Sequence, residues 1–215
     1  MIEPTRLFVV RHGRTAWNAE MRIQGHRDAP LDAMGRWQAG QLAQALAGET
    51  LAAVYSSDLQ RAAATAQPLA DRLGLTVLHD PRLRERGFGE LEGCTHEEIQ
   101  QRWPEASRRW RARDPDFGPP GGERLADFYD RSVAAVRLLA DRHPGQAILV
   151  VAHGGVLDCL YRAATHVALD APRSWQLGNA RINRLLCTAQ GLTLVGGNDD
   201  AHLASPPEFA AALSA

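Results

Sequence analysis

The chain has 215 residues, 45% of them hydrophobic, which is enough for one sizeable core and leaves no stretch that reads as a disordered half. Its 24 Lys and Arg against 25 Asp and Glu leave a formal charge of −1, which excludes a global attraction to nucleic acid or to an anionic membrane surface. Three cysteines without metal-type spacing (Cys94, Cys159, Cys187), no basic-then-apolar leader, and apolar runs short of the roughly 18 to 20 residues of a membrane span fit a soluble cytoplasmic protein.

A strand over 7–10 runs straight into Arg11-His12-Gly13. A loop rich in Gly, Asp and Pro follows, then an amphipathic helix over 34–46. A second short strand over 52–55 precedes Ser57-Asp58-Leu59-Gln60, whose Ser-x-x-Gln form predicts a capping box at the head of an Ala-rich helix. Pro68 is expected to kink or divide that helix. Residues 75–78 read as a third strand, and 82–93, full of charges and glycines, read as too polar for core and as the lining of a site. A second polar excursion over 95–123 carries short helices at 97–103 and 105–111, ends in Gly118-Pro119-Pro120-Gly121-Gly122, and reads as a small helical cap. Apolar residues recur at helical spacing over 123–143, a strand over 148–151 delivers His153, and a helix over 156–165 lies behind it. Segments 182–187 and 192–195 pair as a hairpin, and the chain beyond 198 shows no pattern, so it is expected to fray. The alternation predicts a three-layer α/β/α sandwich with a mostly parallel central sheet. One domain is expected over 1–198, with the cap inserted at about 95–123 and a tail over 199–215.

The run Phe8-Val9-Val10-Arg11-His12-Gly13 has its counterpart in Leu149-Val150-Val151-Ala152-His153-Gly154. Both read as buried parallel strands, and in open α/β sheets function collects at strand carboxyl ends. As neighbours in one sheet, the two strands would set both imidazoles at the same height above its rim. Arg11 beside His12 suits a phosphoryl group, because an imidazole can attack phosphorus while a guanidinium offers paired donors to its oxygens. Arg61 falls in the first turn of the helix headed by Ser57, where the dipole disfavours a cation unless an anion is bound there. Glu85, Glu90 and Glu92 are each candidates to protonate a leaving alkoxide, and spacing does not choose among them. His12, His26, His96 and His153 show no i, i+4 pair and no tight Cys/His cluster, so a metal reading fails. The basic, aromatic stretch from Arg102-Trp103 to Arg113 reads as a cap packed down by its tryptophans, with arginines that are solvated or attract an anionic substrate, rather than as a nucleic-acid patch.

The pieces Val10-Arg11-His12-Gly13-Arg14-Thr15-x-Trp17-Asn18, Ile23-Gln24-Gly25, Pro30-Leu31, Ser56-Ser57-Asp58-Leu59-x-Arg61-x-x-x-Thr65-Ala66, Leu83-x-Glu85-x-x-Phe88-Gly89-x-Leu91-Glu92-Gly93, Gly121-Gly122-Glu123 and His153-Gly154-Gly155 occur in that order. In them the chain, as far as about Leu194, closely resembles the histidine phosphatase superfamily in its cofactor-dependent phosphoglycerate mutase-like branch. The resemblance implies that His12 is the nucleophile that becomes phosphohistidine and that Glu85 is the acid and base. It implies that Arg11, Arg61 and His153 complete the phosphate pocket, with Asn18, Gln24, Gly25 and Gly154 among the phosphate- or substrate-binding positions. Glu85 must carry a proton when the leaving group departs, a state favoured by the dianionic substrate beside it, and His12 must be neutral, as the neighbouring cations Arg11 and Arg61 would keep it.

No metal or other cofactor is implied, apart from 2,3-bisphosphoglycerate priming if the protein is a mutase. The chain is compact and its cap short, so the first expectation is a phosphomonoester hydrolase acting on a small phosphorylated metabolite. A phosphoglycerate mutase is the second. A non-catalytic phosphoester-binding domain is disfavoured because His12, Arg11, Arg61, Glu85 and His153 are all present. The expected partner is a small-molecule phosphoester, without nucleic acid or membrane, and a homodimer is expected at the level of the family. Arg14 and Arg124 stand where many relatives have Glu, Gln or Ser, and as extra charge near the pocket they are expected to favour a second phosphate or a carboxylate.

Overall fold

The structure, a computed structural model, describes residues 3–205. Strands β1 (Thr5–Arg11), β2 (Ala53–Ser56), β3 (Val77–His79), β4 (Ala147–Ala152), β5 (Ile182–Thr188) and β6 (Gly191–Asp199) form one six-stranded sheet. Their order is β3-β2-β4-β1-β5-β6, with β1 to β4 parallel and β5 antiparallel to both β1 and β6. This is the mostly parallel centre of an α/β/α sandwich.

Every residue of β4, Ala-Ile-Leu-Val-Val-Ala, is buried, because a central parallel strand covered on both faces must be apolar throughout. The pleat divides the strands between two cores. Leu7, Val9, Ile148 and Val150 pack with Phe128, Val136 and Leu139 of α6 (Leu125–Ala140) and with Val156 and Leu160 of α7 (Gly154–Thr165). Phe8, Val10, Leu149 and Val151 face the other way, onto Leu42 of α2 (Ala33–Ala45) and Ala62, Ala66 and Leu69 of α3 (Gln60–Leu73). Fully burying side chains of this size contributes roughly 1.5–3 kcal/mol each, which holds the layers together and the strand ends level. The four-residue helix α1 (Ala16–Ala19) follows β1. The short helices α4 (His96–Arg102) and α5 (Pro104–Arg111) stand off the sandwich around a small cluster of their own, in which Ile99 joins Ile23, Leu91 and Cys94, flanked by Phe88, Trp103 and Trp110.

Four local expectations are corrected. Ser57 caps nothing: α3 starts at Gln60 with Leu59 at its N-cap, and the Gln60 N–H is taken at 2.6 Å by Asp28 Oδ2 from another loop. Pro68 neither divides nor ends α3, which runs unbroken to Leu73; the buried face of Ala62, Ala66, Leu69 and Ala70 outweighs one lost N–H. Segment 82–93 is not wholly a lining, since tight turns at Pro81–Leu83 and Gly89–Leu91 drive Leu83 and Leu91 into the interior. The start of the tail is held: Arg184 meets Asp199 at 2.8 Å, Arg181 meets Asp200 at 2.9 Å, and His202 Nε2 lies 3.0 Å from the Ala180 carbonyl. The expected fraying of 206–215 lies outside the described residues.

Candidate active site

Strands β1 and β4 run in register, Val10 opposite Val151 and Arg11 opposite Ala152. One further rung, the His12 N–H donated to the Ala152 carbonyl at 2.9 Å, carries the pairing past the strand ends. The two histidines therefore sit side by side, ring centroids 5.2 Å apart. From the other side of β4, the Ser57 N–H bonds the Val151 carbonyl at 3.0 Å, and Ser57 Oγ lies 2.9 Å from His153 Nε2. The hydroxyl that spacing assigned to a helix cap is thus engaged by the second imidazole.

His12 is 3% exposed, and its Nδ1 lies 2.7 Å from the Gly13 carbonyl oxygen. A carbonyl only accepts, so Nδ1 carries the proton and Nε2 keeps its lone pair. The backbone on both sides is fixed: Asn179 Nδ2 donates to the His12 carbonyl at 2.8 Å, and the Gly13 N–H donates to Thr65 Oγ1 at 2.8 Å. Gly13 admits no side chain, since a Cβ there would lie 2.6 Å from the Gly35 carbonyl oxygen. Burial, then the charges of Arg11 and Arg61, hold the His12 pKa well below its ordinary 6.5, so the ring is neutral at neutral pH. His153 is lowered for the same reasons, burial first and then Arg61 and His12.

Arg61 is fully buried. Its Nη2 donates to the Gly25 carbonyl at 2.7 Å and its Nη1 to the Arg27 carbonyl at 2.9 Å, with the half-exposed Asp28 carboxylate 3.6 Å away. Arg11 Nη1 donates to the Leu177 carbonyl at 2.8 Å. Beside these bonds, Arg11 Nε, Arg61 Nε and His153 Nδ1 are buried without a partner. Buried donors without acceptors are costly, and a tetrahedral oxyanion beside His12 would satisfy Arg11 Nε, Arg61 Nε and, when Ser57 donates to its Nε2, His153 Nδ1 together. Asn18 uses Oδ1 to accept from Thr15 N–H and Oγ1, both at 3.1 Å, which leaves its Nδ2 as the remaining donor. Gln24 is buried with Oε1 unpartnered. Gly25, at φ +53°, turns its carbonyl onto Arg61, and a Cβ there would strike Glu92 Oε1.

The geometry chooses among the three carboxylates. Glu92 is consumed by backbone N–H groups of His26, Arg27 and Phe88 at 2.9 to 3.1 Å, and Glu90 is exposed. Glu85 alone reaches the pocket of His12, its Oε2 accepting from the Gly155 N–H and its Oε1 from the Arg86 N–H, both at 3.0 Å. His26 Nε2 lies 2.9 Å from the Glu85 carbonyl, and Arg131 Nη1 donates to the carbonyls of Arg82 and Arg84, so the segment bearing the carboxylate is clamped from both sides.

Two cavities share Arg11, Glu85, Phe88 and Trp110. An inner pocket of about 170 Å³ holds His12, Asn18, Gln24, Gly25 and Arg61, and an outer cleft of about 540 Å³ extends past Gly154 and Gly155 to His96 of α4 and Trp110 and Arg111 of α5. Arg111 and Arg113 of the cleft belong to the stretch whose arginines the sequence reads as solvated or as attracting an anionic substrate, whereas the sequence reading missed Arg86 and Arg173 in the cleft and Asn179 and Ser57 as supports. It also misassigned Arg14 and Arg124, which line neither cavity: Arg14 is held by Asp32 at 2.7 Å and Arg124 by Asp116 at 2.8 Å, each a nearby carboxylate that uses up its charge. Among the described residues there is no group of three or more His, Cys, Asp or Glu placed to hold a metal ion, and no helix long and apolar enough to cross a membrane.

The family model of the histidine phosphatase superfamily (branch 1) matches residues 7–200. The chain belongs to this superfamily. Within it, phosphoglycerate mutase-like protein 4 of Arabidopsis thaliana is 44% identical over 166 residues, 76% of this chain and 72% of the relative. The metal-independent phosphoserine phosphatase of the same plant is 37% identical over 94% of this chain and 85% of its own. Among solved structures, the mycobacterial glucosyl-3-phosphoglycerate phosphatase, complexed with VO3, superposes with a TM-score of 0.81 at 34% identity, covering 90% of this chain and 99% of that one.

Proposed function

We propose that this histidine phosphatase superfamily member is a metal-independent phosphomonoester hydrolase that works through phosphohistidine at His12. The observation that carries the reading is the set of buried, unpartnered donors, Arg11 Nε, Arg61 Nε and His153 Nδ1, gathered around an imidazole whose Nε2 is free. Such donors are fixed before substrate arrives, so they stabilise the spread negative charge of a phosphoryl group in flight without rearrangement.

In the first half-reaction the His12 Nε2 lone pair forms a bond to phosphorus, the ester P–O bond breaks, and the departing oxygen takes the proton of the Glu85 carboxyl to leave as an alcohol. In the second, the Glu85 carboxylate takes a proton from water, the water oxygen bonds to phosphorus, and the N–P bond breaks. Inorganic phosphate is released, with His12 again neutral and Glu85 again protonated. When Ser57 donates to His153 Nε2, the proton of that imidazole stays on Nδ1 as a donor to the phosphoryl oxygens. The relative named as a metal-independent phosphoserine phosphatase supports a reaction that needs no metal, and the phosphatase superposed above supports hydrolysis of a small phosphorylated metabolite.

A mutase is the second reading, favoured by the relative named phosphoglycerate mutase-like. The outer cleft argues for hydrolysis, because it brings open space up to Glu85, where the attacking water must be held. Phosphate release from a panel of phosphomonoesters, with chelator and no added metal, decides between them. Turnover by the native protein that vanishes in His12→Ala supports the hydrolase. Isomerisation of phosphoglycerate that appears only after bisphosphate priming, with no phosphate release, replaces it with the mutase.

A further inference from the structure

Helix α7 holds the Glu85 carboxylate through the Gly155 N–H and carries, on its next turn, a second carboxylate, Asp158, for which the proposed reaction has no use. Asp158 lines the outer cleft but is only 5% exposed. A charge so buried must be paired, and one oxygen, Oδ2, takes both partners: Arg113 Nη2 at 2.6 Å and Arg162 Nε at 3.0 Å. Arg162 follows one turn later on the same helix and is fully buried, whereas Arg113 stands just past the end of α5.

Both guanidiniums turn their other N–H groups onto one short stretch of backbone. Arg162 Nη1 and Nη2 donate to the carbonyls of Ala168 and Ala171, and Arg113 Nε donates to that of Leu169 at 2.9 Å. Arg162 also lies 4.8 Å from the centre of the Trp175 ring, which stacks on Tyr161 of α7. One carboxylate therefore orients two arginines that grip three carbonyls of segment 166–181, which has neither helix nor strand to hold it.

The far end of that segment rests on the phosphate pocket. The Leu177 carbonyl receives Arg11 Nη1 at 2.8 Å, the Ala180 N–H donates to the Arg11 carbonyl at 2.9 Å, and Asn179 Nδ2 donates to the His12 carbonyl at 2.8 Å. The acceptor that aims the Arg11 guanidinium thus belongs to a loop whose base is clamped through Asp158. A guanidinium binds a tetrahedral oxyanion through a fixed fork of donors, so its orientation matters as much as its charge.

We propose that Asp158 is a positioning residue of the phosphate pocket: through Arg113 and Arg162 it fixes the base of segment 166–181, and through Leu177 it holds Arg11 at the angle that receives a phosphoryl group. This deepens the phosphatase reading and rests on it for the role given to Arg11. Asp158 is an anion beside an anion site, so by Coulomb's law alone its neutralisation tightens phosphate binding, whereas loss of the clamp weakens it.

The test measures binding of inorganic phosphate by titration calorimetry, in which the Kd and the fraction of competent protein are read separately. Asp158→Asn is expected to weaken binding roughly tenfold at unchanged stoichiometry, and less than about threefold in the Arg11→Lys background, where the charge remains but the fork is gone. Arg113→Lys keeps its charge but lacks the second arm that bonds Leu169. Because it leaves the buried Asp158–Arg162 pair in place, it tests the clamp even if Asp158→Asn fails to fold, and it is expected to weaken binding about threefold. Unchanged or tighter binding in the folded variants overturns the proposal, as does a loss confined to stoichiometry, the mark of a merely structural role. An equal loss with and without Arg11→Lys overturns it too, since Asp158 would then act on a group other than Arg11. Absence of phosphate release from esters by the native protein would remove the hydrolase reading instead, so the two fail separately.

Discussion

At the scale of single residues, two neutral imidazoles lie buried among cations, and that has a thermodynamic signature. Because the folded values for His12 and His153 lie well below the ordinary 6.5, the unfolded chain binds more protons between those limits. Stability is therefore complete above pH 6.5 and falls as the pH drops through the folded values, with a limiting slope of about 2.7 kcal/mol per pH unit for two groups. Urea unfolding at stepped pH checks this, and an unchanged slope in the His12→Asn, His153→Asn double variant would contradict it. In the proposed mechanism Glu85 serves both half-reactions, so Glu85→Gln is expected to lower kcat by roughly 10²- to 10⁴-fold while inorganic phosphate still binds. Equal loss of phosphate affinity would make Glu85 a structural support of the pocket rather than its acid.

Elements place these residues, and their boundaries carry predictions of their own. Helix α7 begins against Glu85: a Cβ on Gly155 would stand 2.2 Å from Glu85 Oε1 and 2.9 Å from the Phe128 ring. Gly155→Ala should therefore push the carboxylate off its seat and cost roughly 10²-fold or more in kcat with a smaller effect on KM, the pattern of a lost transition-state contact. Equal losses in KM and kcat would place the damage in substrate binding. In α3, Pro68→Ala restores an N–H inside an unbroken helix at a partly exposed position and is expected to stabilise the fold by about 1 to 2 kcal/mol in urea unfolding. Destabilisation would show that the ring's packing matters more than the missing bond.

The same elements show what could be read in the sequence. The His12 and His153 strands were legible because an apolar run ending in His-Gly states both its burial and its register. The capping role of Ser57 was misread because its competitor, His153, arrives from 96 residues further on. The family resemblance singles out Glu85, but spacing alone does not separate it from Glu92, because the backbone N–H groups of residues 26 and 27 that occupy Glu92 come from a distant loop.

The whole molecule is a sandwich whose two apolar cores lock three strand ends at one level, so that the site is assembled by register rather than by any single motif. What the sequence left hidden at this scale is the segment 166–181, without helix or strand periodicity, which the buried Arg162 and Trp175 fasten to α7 and which brings Arg173 and Asn179 to the cleft. The assembled pocket favours an anionic ligand, since Arg61 is desolvated, has only the Asp28 carboxylate 3.6 Å away as an ion-pair partner, and leaves its buried Nε without an acceptor until an anion binds. Inorganic phosphate at about 100 times its Kd is thus expected to raise the unfolding free energy of the native protein by about 2.7 kcal/mol, and to leave Arg61→Met nearly unaffected. The same gain in Arg61→Met would move the anion site away from Arg61.

The central claim is a covalent bond between phosphorus and His12 Nε2, and the most direct measurement is rapid quenching of the protein with substrate, followed by mass analysis of its peptides under alkaline conditions that preserve a phosphoimidazole. The account predicts one phosphoryl group on the peptide containing His12, present during turnover, absent in His12→Ala, and discharged to inorganic phosphate as substrate runs out. Turnover with no phosphorylated peptide at any quench time, or with the phosphoryl group on a peptide lacking His12, would contradict it.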